Sequence, residues 1–468
     1  MTTERVPRSL LWLCYLYIAS LPFFSFTLFN WGDRGFGRPD WLLGAALVVV
    51  FACKLAIGRI RLRRSPANKF VAFYVYSGLL SAANLFNATD AQFIDFGTKA
   101  AQLLLVTAVF FVISSLPLGE QELKNILKVW FLVAFVVAAY AVYQLFARLY
   151  DWPFASLALS NPTTAPGGIQ TARRFVLVGG ELKWAGRGTA GIQYAQVSSF
   201  LREPSWLGSY LLSGLFLFGV LILSDKGHLV LLNSSRLNWL FLGTLLLGLL
   251  VSVSLGAYAS LLATLALMYA VQRVYRLRVT RSVLLLLVLL LLSGLLFSAI
   301  GIDFFGVASA RLSGLFGAMV HGSGGGTSYG VRLERSLAAL KVWVSNPLLG
   351  VGLNNTHYHT AEGISLISNG WAELLSSQGL IGFMAMVLIL WSLLRGLHNL
   401  LKVVDPSSWW YFLIVGLLFV LVSDTIDTLF SHVWTHPLRW FTLSMANLVY
   451  IQASARFGRS ASSRGIET

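Results

Sequence analysis

The sequence predicts an all-α, polytopic membrane protein with about twelve transmembrane helices, and three observations carry that prediction. The chain of 468 residues is 56% hydrophobic and only 12% charged, with a mean hydropathy of +0.72, well outside the composition of soluble domains. Apolar runs of roughly the length that spans a bilayer core recur along nearly the whole chain. Lys and Arg fall in alternate connections between those runs, the pattern left by retention of positive charge in the cytoplasm.

In chain order, the spans are expected at approximately 9 to 29, 41 to 57, 70 to 86, 100 to 118, 126 to 147, 203 to 224, 237 to 253, 256 to 271, 282 to 300, 369 to 394, 409 to 428 and 437 to 453. The first follows the basic N-terminus with Arg5 and Arg8, and "YIASLPFF" offers no small-residue cleavage site, so it reads as a retained anchor. The second and third flank "RIRLRRSPANK" at 59 to 69. The seventh and eighth need a tight turn at "SVSLGAY", because one helix across 237 to 271 overshoots a bilayer. The eighth and ninth flank "RVYRLR" with Arg281, and the last leads into a short polar tail, 454 to 468, with Arg456, Arg459 and Arg464. One integral membrane domain over 1 to 453 follows, with both termini cytoplasmic. The two long loops, 148 to 202 and 301 to 368, then face the opposite side.

The same distribution disposes of other classes. A net charge of +16 suits nucleic acid when gathered in one domain, but here it is spread over separate loops, so topology explains it and nucleic acid is no partner. Cys14 and Cys53 read as core packing within spans. No Cys/His cluster has ligand spacing, so no metal and no cofactor is expected.

Chemistry is expected in the two outer loops. In "FLREPSWLG", Pro204 suits a first helical turn, which puts Arg202 and Glu203 at a helix entrance where free amides favour an anion. The alternative is an interfacial anchor, with Arg202 snorkelling and Glu203 capping the helix. In "YGVRLERSLAALKVWVSNPLLGVGLNN", Leu333, Leu337, Leu340 and Val344 recur at helical spacing, which predicts an amphipathic helix at the membrane surface. Arg332 and Arg335 lie one turn apart on it and can address one anionic group, either a substrate phosphate or lipid headgroups. "HGSGGG" lacks the strand and the GK[ST] of a phosphate loop and reads as a hinge. "GVGLNN" reads as a turn.

"YGVRLERSLAALKVWVSNPLLGVGLNN" and "SNGWAELLSSQGLIGF" (368 to 383) together resemble the signature region of the O-antigen ligase and polymerase superfamily, over roughly residues 190 to 395. These are bacterial inner-membrane enzymes that use undecaprenyl-diphosphate-linked sugars. The resemblance implies a helical glycosyltransferase-type fold with a periplasmic active site, a role in polysaccharide or lipopolysaccharide biosynthesis, and a chain-length regulator as a partner beside the membrane lipids. Ser368 stands where many members, especially ligases, carry a His, and Leu255 where an Arg is often present. "REPSWLG" is more similar to polymerases.

The reaction so implied transfers a glycan from undecaprenyl diphosphate to a hydroxyl of a lipid-linked repeat unit, without metal and with inversion. Arg202 and Arg332 are the expected clamp for the departing diphosphate, and Arg335 assists. Glu203 is the expected base, with His357 and His359 of "NNTHYHT" as alternatives near neutral pH. Asn369 and Glu373, one turn apart, either hold acceptor hydroxyls or cap and pack a helix. Asp424 and Asp427 either line the site or are buried and paired. The other readings of the chain are an O-antigen ligase acting on lipid A core and a transporter or flippase.

Overall fold

The computed structural model describes residues 6–24, 28–31, 34–86, 88–150, 152–153, 175–178, 181–184, 197, 199–201, 203–252, 254–272, 294–295, 298, 328–360, 369–431 and 434–462. The fold is helical. Its helices are α1 (Arg8–Ser20), α2 (Pro39–Ala56), α3 (Pro66–Leu80), α4 (Asp90–Ser115), α5 (Glu120–Leu149), α6 (Pro204–Leu223), the short α7 (Gly227–Val230), α8 (Ser235–Val251) and α9 (Leu255–Val271). After them come α10 (Ser328–Ser345), α11 (Gly370–Leu400), α12 (Trp409–Asp427) and α13 (Pro437–Ser462). Two short antiparallel hairpins, Phe29–Trp31 with Arg34–Phe36 and Phe175–Val178 with Glu181–Trp184, are the extended pairings among the described residues.

Six of these helices, α2, α4, α5, α6, α11 and α12, are long and apolar enough to cross a membrane, while the helical stretch from Arg8 to Phe23, α8 and α9 are apolar but shorter. The first expected span is the most altered. It ends in a 3-10 turn at Leu21–Phe23, and Phe29 already belongs to a strand. The span expected at 282 to 300 lies almost wholly outside the described residues, as do the basic segment at 273 to 281, the hinge "HGSGGG" and Arg202. Helix α13 continues to Ser462, past the expected end at 453.

Local chemistry sets the helix starts. Pro opens α2, α3 and α6, where its missing N–H costs nothing. Thr89 and Gln92 close a capping box on α4. Ser254 caps α9 directly after α8 ends at Val251, so the turn expected at "SVSLGAY" is present. Helices α6 and α12 form the buried centre, flanked by α5, α8, α9, α11 and α13. Close approach there depends on small residues: a Cβ on Gly208 would meet Ala257, one on Gly416 would meet Leu217, and one on Gly248 would meet Ala138. Cys14 is buried as expected, but Cys53 is exposed. Its helix, α2, lies at the rim, with much of its surface turned outward.

Helix α11 is broken. Gly379 has φ 66° and ψ −167°, and the "NPLLGVG" loop lies against the break. Val351 N–H donates to Ser376 O at 2.8 Å and Gly352 N–H to Ser377 O at 3.1 Å. Leu380 N–H donates to Pro347 O at 2.8 Å. Carbonyls and amides freed by the break are thereby paired, as an interrupted helix within a bundle requires. "GVG" is thus a packing element, in keeping with the turn expected there.

The contacts sort the chain into two ends. At one, Glu120 gathers Lys124 (3.0 Å), Arg456 (2.6 Å) and the Trp409 indole (3.0 Å), close to the basic connection that carries Arg63 to Ser115 (3.2 Å). The described candidate residues lie at the other.

Candidate functional site

The turn from Thr428 to Ser431, between α12 and α13, is where the candidates meet. Gly370 N–H donates to Thr428 O at 2.9 Å and to Ser431 O at 3.0 Å, fixing the start of α11 to this turn. Gly256 at the start of α9 sits close against Phe430, leaving no room for a Cβ. Arg332 of α10 donates from Nη1 to Phe430 O at 2.6 Å. Helix α6 runs along α12, and Ser209 Oγ donates to Asp427 Oδ2 at 2.5 Å. Glu203 heads α6 about a turn and a half above that bond.

Glu203 does not act as a side-chain cap. Its carbonyl accepts from Trp206 N–H at 3.1 Å, while its carboxylate accepts from Ser205 Oγ–H at 3.2 Å. That leaves the carboxylate partly exposed beside an aromatic group in which Trp206 packs on Phe24 (4.8 Å between centroids) and Phe24 on His436 (4.1 Å).

Helix α10 is present as the amphipathic spacing predicts. It packs on α11 through Ala339, which meets Ala372, and Val342 is buried too, while Leu337 (49% exposed) and Val344 (70%) face outward, as does Leu348 (61%) just beyond the helix. The expected apolar row therefore splits. Leu340 packs inward and Leu337 and Val344 form an outer face suited to lipid. Arg335 is half-buried.

Asp424 is half-buried and paired with a cation, and Asp427 is buried and hydrogen-bonded. Arg439 grips Asp424 from Nε (2.8 Å) and Nη2 (3.2 Å) and lies over the Trp434 ring at 4.7 Å. Asp427 accepts from Ser209 and, at 3.0 Å, from Ser431. They tie α6, α12 and α13 together beneath the turn. Asn369 caps α11, its Oδ1 accepting from Trp371 N–H (3.0 Å) and Ala372 N–H (3.2 Å), so the capping alternative accounts for that oxygen.

The histidines lie elsewhere. His357 and His359 belong to a 3-10 turn, Thr356–His359, held to the first turns of α4. Tyr358 OH donates to Asp95 Oδ2 at 2.9 Å, and His357 Nε2 is 3.8 Å from the same oxygen. Burial pushes the His357 imidazole below its ordinary value, Asp95 opposing, and burial also lowers His359. Neither is brought to Arg332 or Glu203 by a hydrogen bond or ion pair. No group of metal-ligating side chains occurs among the described residues.

This arrangement gives the turn a pH dependence. The folded state favours neutral His357, so its contribution is complete above the ordinary value of 6.5 and is lost as pH falls through the lower folded value. Amide exchange at Val351 to Tyr358, corrected for intrinsic rate, is expected to accelerate between about pH 7.5 and about pH 5. His357→Gln should flatten that dependence. An unchanged pH profile in the variant would remove His357 from the explanation.

Sequence reading missed Arg439, Lys99 and Gln378. Gln378 is buried at the break in α11, where its amide donates to Tyr74 OH at 3.1 Å and accepts from Ser77 at 3.2 Å. A polar residue directly before glycine inside an apolar run was the available signal. No protein-family model matches this chain, and no curated protein sequence matches it.

Proposed function

We propose that the protein is a polysaccharide polymerase of the bacterial inner membrane, O-antigen or exopolysaccharide in type, that transfers a glycan from undecaprenyl diphosphate to a hydroxyl of a lipid-linked repeat unit. In this reading twelve helices cross the membrane, both termini are cytoplasmic, and the Thr428–Ser431 turn faces the periplasm. The observation that carries it is Arg332: its guanidinium is fixed by the Phe430 carbonyl on a surface helix with an outward apolar face. That is the level at which a lipid-borne diphosphate presents its charge.

In the transfer, the acceptor hydroxyl oxygen forms a bond to the anomeric carbon of the donor while the bond to the diphosphate oxygen breaks. Glu203 takes the hydroxyl proton. Arg332 and Arg202, with Arg335 assisting, stabilise the departing undecaprenyl diphosphate. Single displacement inverts the anomeric centre. Purified protein given a defined lipid-linked repeat unit is expected to yield a ladder of products on a gel, undiminished by EDTA. Lack of any ladder with correctly folded protein, or a ladder that needs added divalent metal, would defeat the reading.

The orientation has its own check. Single cysteines placed near 165 and 325 should be blocked by a reagent that cannot cross the membrane, added from the periplasmic side. Labelling only from the cytoplasm would invert the topology and remove the site from its substrates.

One observation favours a transporter instead. A broken helix within a bundle, as α11 is at Gly379, is common in transporters. Here the freed backbone groups are paired with the "NPLLGVG" loop, which favours a fixed role for the break.

A further inference from the structure

Behind the Thr428–Ser431 turn, Lys99 of α4, Glu373 of α11, Arg439 of α13 and Thr435, just before α13, form a second polar cluster. Arg439 lies over the Trp434 ring at 4.7 Å, the Trp434 indole donates to the backbone of Gly370, one turn before Glu373 of α11, and Glu373 is close enough to Lys99 of α4 to interact with it electrostatically. Gln102, one turn along α4 from Lys99, donates to Thr435 O at 3.1 Å. Beside them stand Trp371 and Trp434, 4.6 Å apart, whose indole N–H groups are already used on Thr425 O (3.2 Å) and Gly370 O (2.5 Å).

Three polar atoms of this cluster are buried and have no hydrogen-bond partner among the described residues: Glu373 Oε2, Thr435 Oγ1 and Arg439 Nη1. Lys99 forms no hydrogen bond or ion pair to a described residue. Thr435 is 3% and Arg439 6% exposed, so their unpaired atoms are not turned to solvent. Buried groups of this kind are costly unless something satisfies them. Lys99 and Glu373 are themselves half-buried, which leaves a way in.

The charges select the occupant. An anion is opposed by Glu373, and a cation by Lys99 and Arg439. A neutral polyol meets both demands, since each hydroxyl both donates and accepts: it can donate to Glu373 Oε2 and accept from Lys99 and Arg439, with Thr435 in either role. Apolar ring faces beside a few convergent polar groups complete an ordinary small-ligand site. We propose that this cluster binds one saccharide unit. Resting on the glycosyl-transfer reading above, it holds a sugar of the lipid-linked glycan while Arg332 addresses the diphosphate.

The test separates the two ideas by using a sugar without its lipid diphosphate. The probe is the repeat-unit oligosaccharide of the source cell's own surface glycan, released by mild acid, and the readout is thermal stabilisation of the full chain in detergent. Wild-type protein is expected to be stabilised in a saturable way. Lys99→Met, Glu373→Gln and Thr435→Val should bind the probe about tenfold more weakly or worse for the charged positions, and less weakly for Thr435. Arg332→Lys should bind it normally. Equal stabilisation of wild type and all three cluster variants would overturn the site. Polymer formation by a wild-type protein that the oligosaccharide does not stabilise would also overturn it, pointing to buried water, and would leave the function standing. Stabilisation without any polymer would support the site and sink the polymerase reading. A variant that fails to fold is judged through the other two.

Discussion

Arg332→Lys is expected to cut polymer formation by roughly 100-fold or more, the equivalent of about 3 kcal/mol of lost transition-state stabilisation. Lysine retains the charge and can still reach the membrane surface, so a headgroup anchor survives the change. What it loses is the planar fork. With one corner donating to Phe430 O at 2.6 Å, the guanidinium is anchored at the turn, and a single ammonium cannot both keep that bond and present parallel donors to a phosphate. The same substitution at Arg335 should be milder, and at Arg202 comparable to Arg332, since both are assigned to one diphosphate. Expression and thermal stability of each variant must be measured alongside, because the Phe430 contact also ties α10 to the turn. Near-wild-type ladders from Arg332→Lys would favour the headgroup reading. Severe loss at Arg335 alone would mean that the other arginine of the pair is the ligand.

The sequence was most informative where structure is local. Apolar runs mark the helices because a bilayer or a packed bundle makes the same demand at every turn. Ser254 and Pro204 mark helix starts because capping and first-turn chemistry depend on neighbours in the chain. The row Leu333 to Val344 marks a surface helix for the same reason. What could not be read is long-range. "SDTID" and "HPLRW" lie in different elements, and only the folded bundle reveals that Arg439 answers Asp424. Lys99 stands in the run "DFGTKAAQLLLV", where it looks like the polar end of a span. Its relation to Glu373, far along the chain, follows from the packing of α11 against α3 and of α3 against α4. Crossing lengths were harder than helix positions. The helix from Pro66 to Leu80 gives way to a 3-10 turn at Ser81–Leu85, so an apolar stretch long enough to span does not become one long helix.

The break in α11 carries the largest expected effect on folding. At Gly379 the backbone lies at φ 66° and ψ −167°, a region essentially reserved for glycine. A Cβ there would collide with the carbonyl carbon and oxygen of Leu348, which are backbone atoms of the loop that pairs with the break. Neither side can yield cheaply. Moving Leu348 would disturb Leu380 N–H to Pro347 O on one side and Val351 N–H to Ser376 O on the other, both 2.8 Å. Gly350 shows the reciprocal constraint, since its Cβ would meet Ser377 C at 2.5 Å. Gly379→Ala is therefore expected to destabilise the protein by about 3 kcal/mol or more, combining backbone strain with overpacking. Denaturation in detergent, followed by near-ultraviolet circular dichroism, measures it. Gly243→Ala is the matched control, because a Cβ on that helical glycine of α8 meets nothing within 4 Å. It should be neutral or slightly stabilising. A Gly379→Ala protein as stable as the Gly243→Ala control would show that the break is not held by the "NPLLGVG" loop. The loop would then be free to move relative to α11, and the transporter reading would gain the mobile element that it needs.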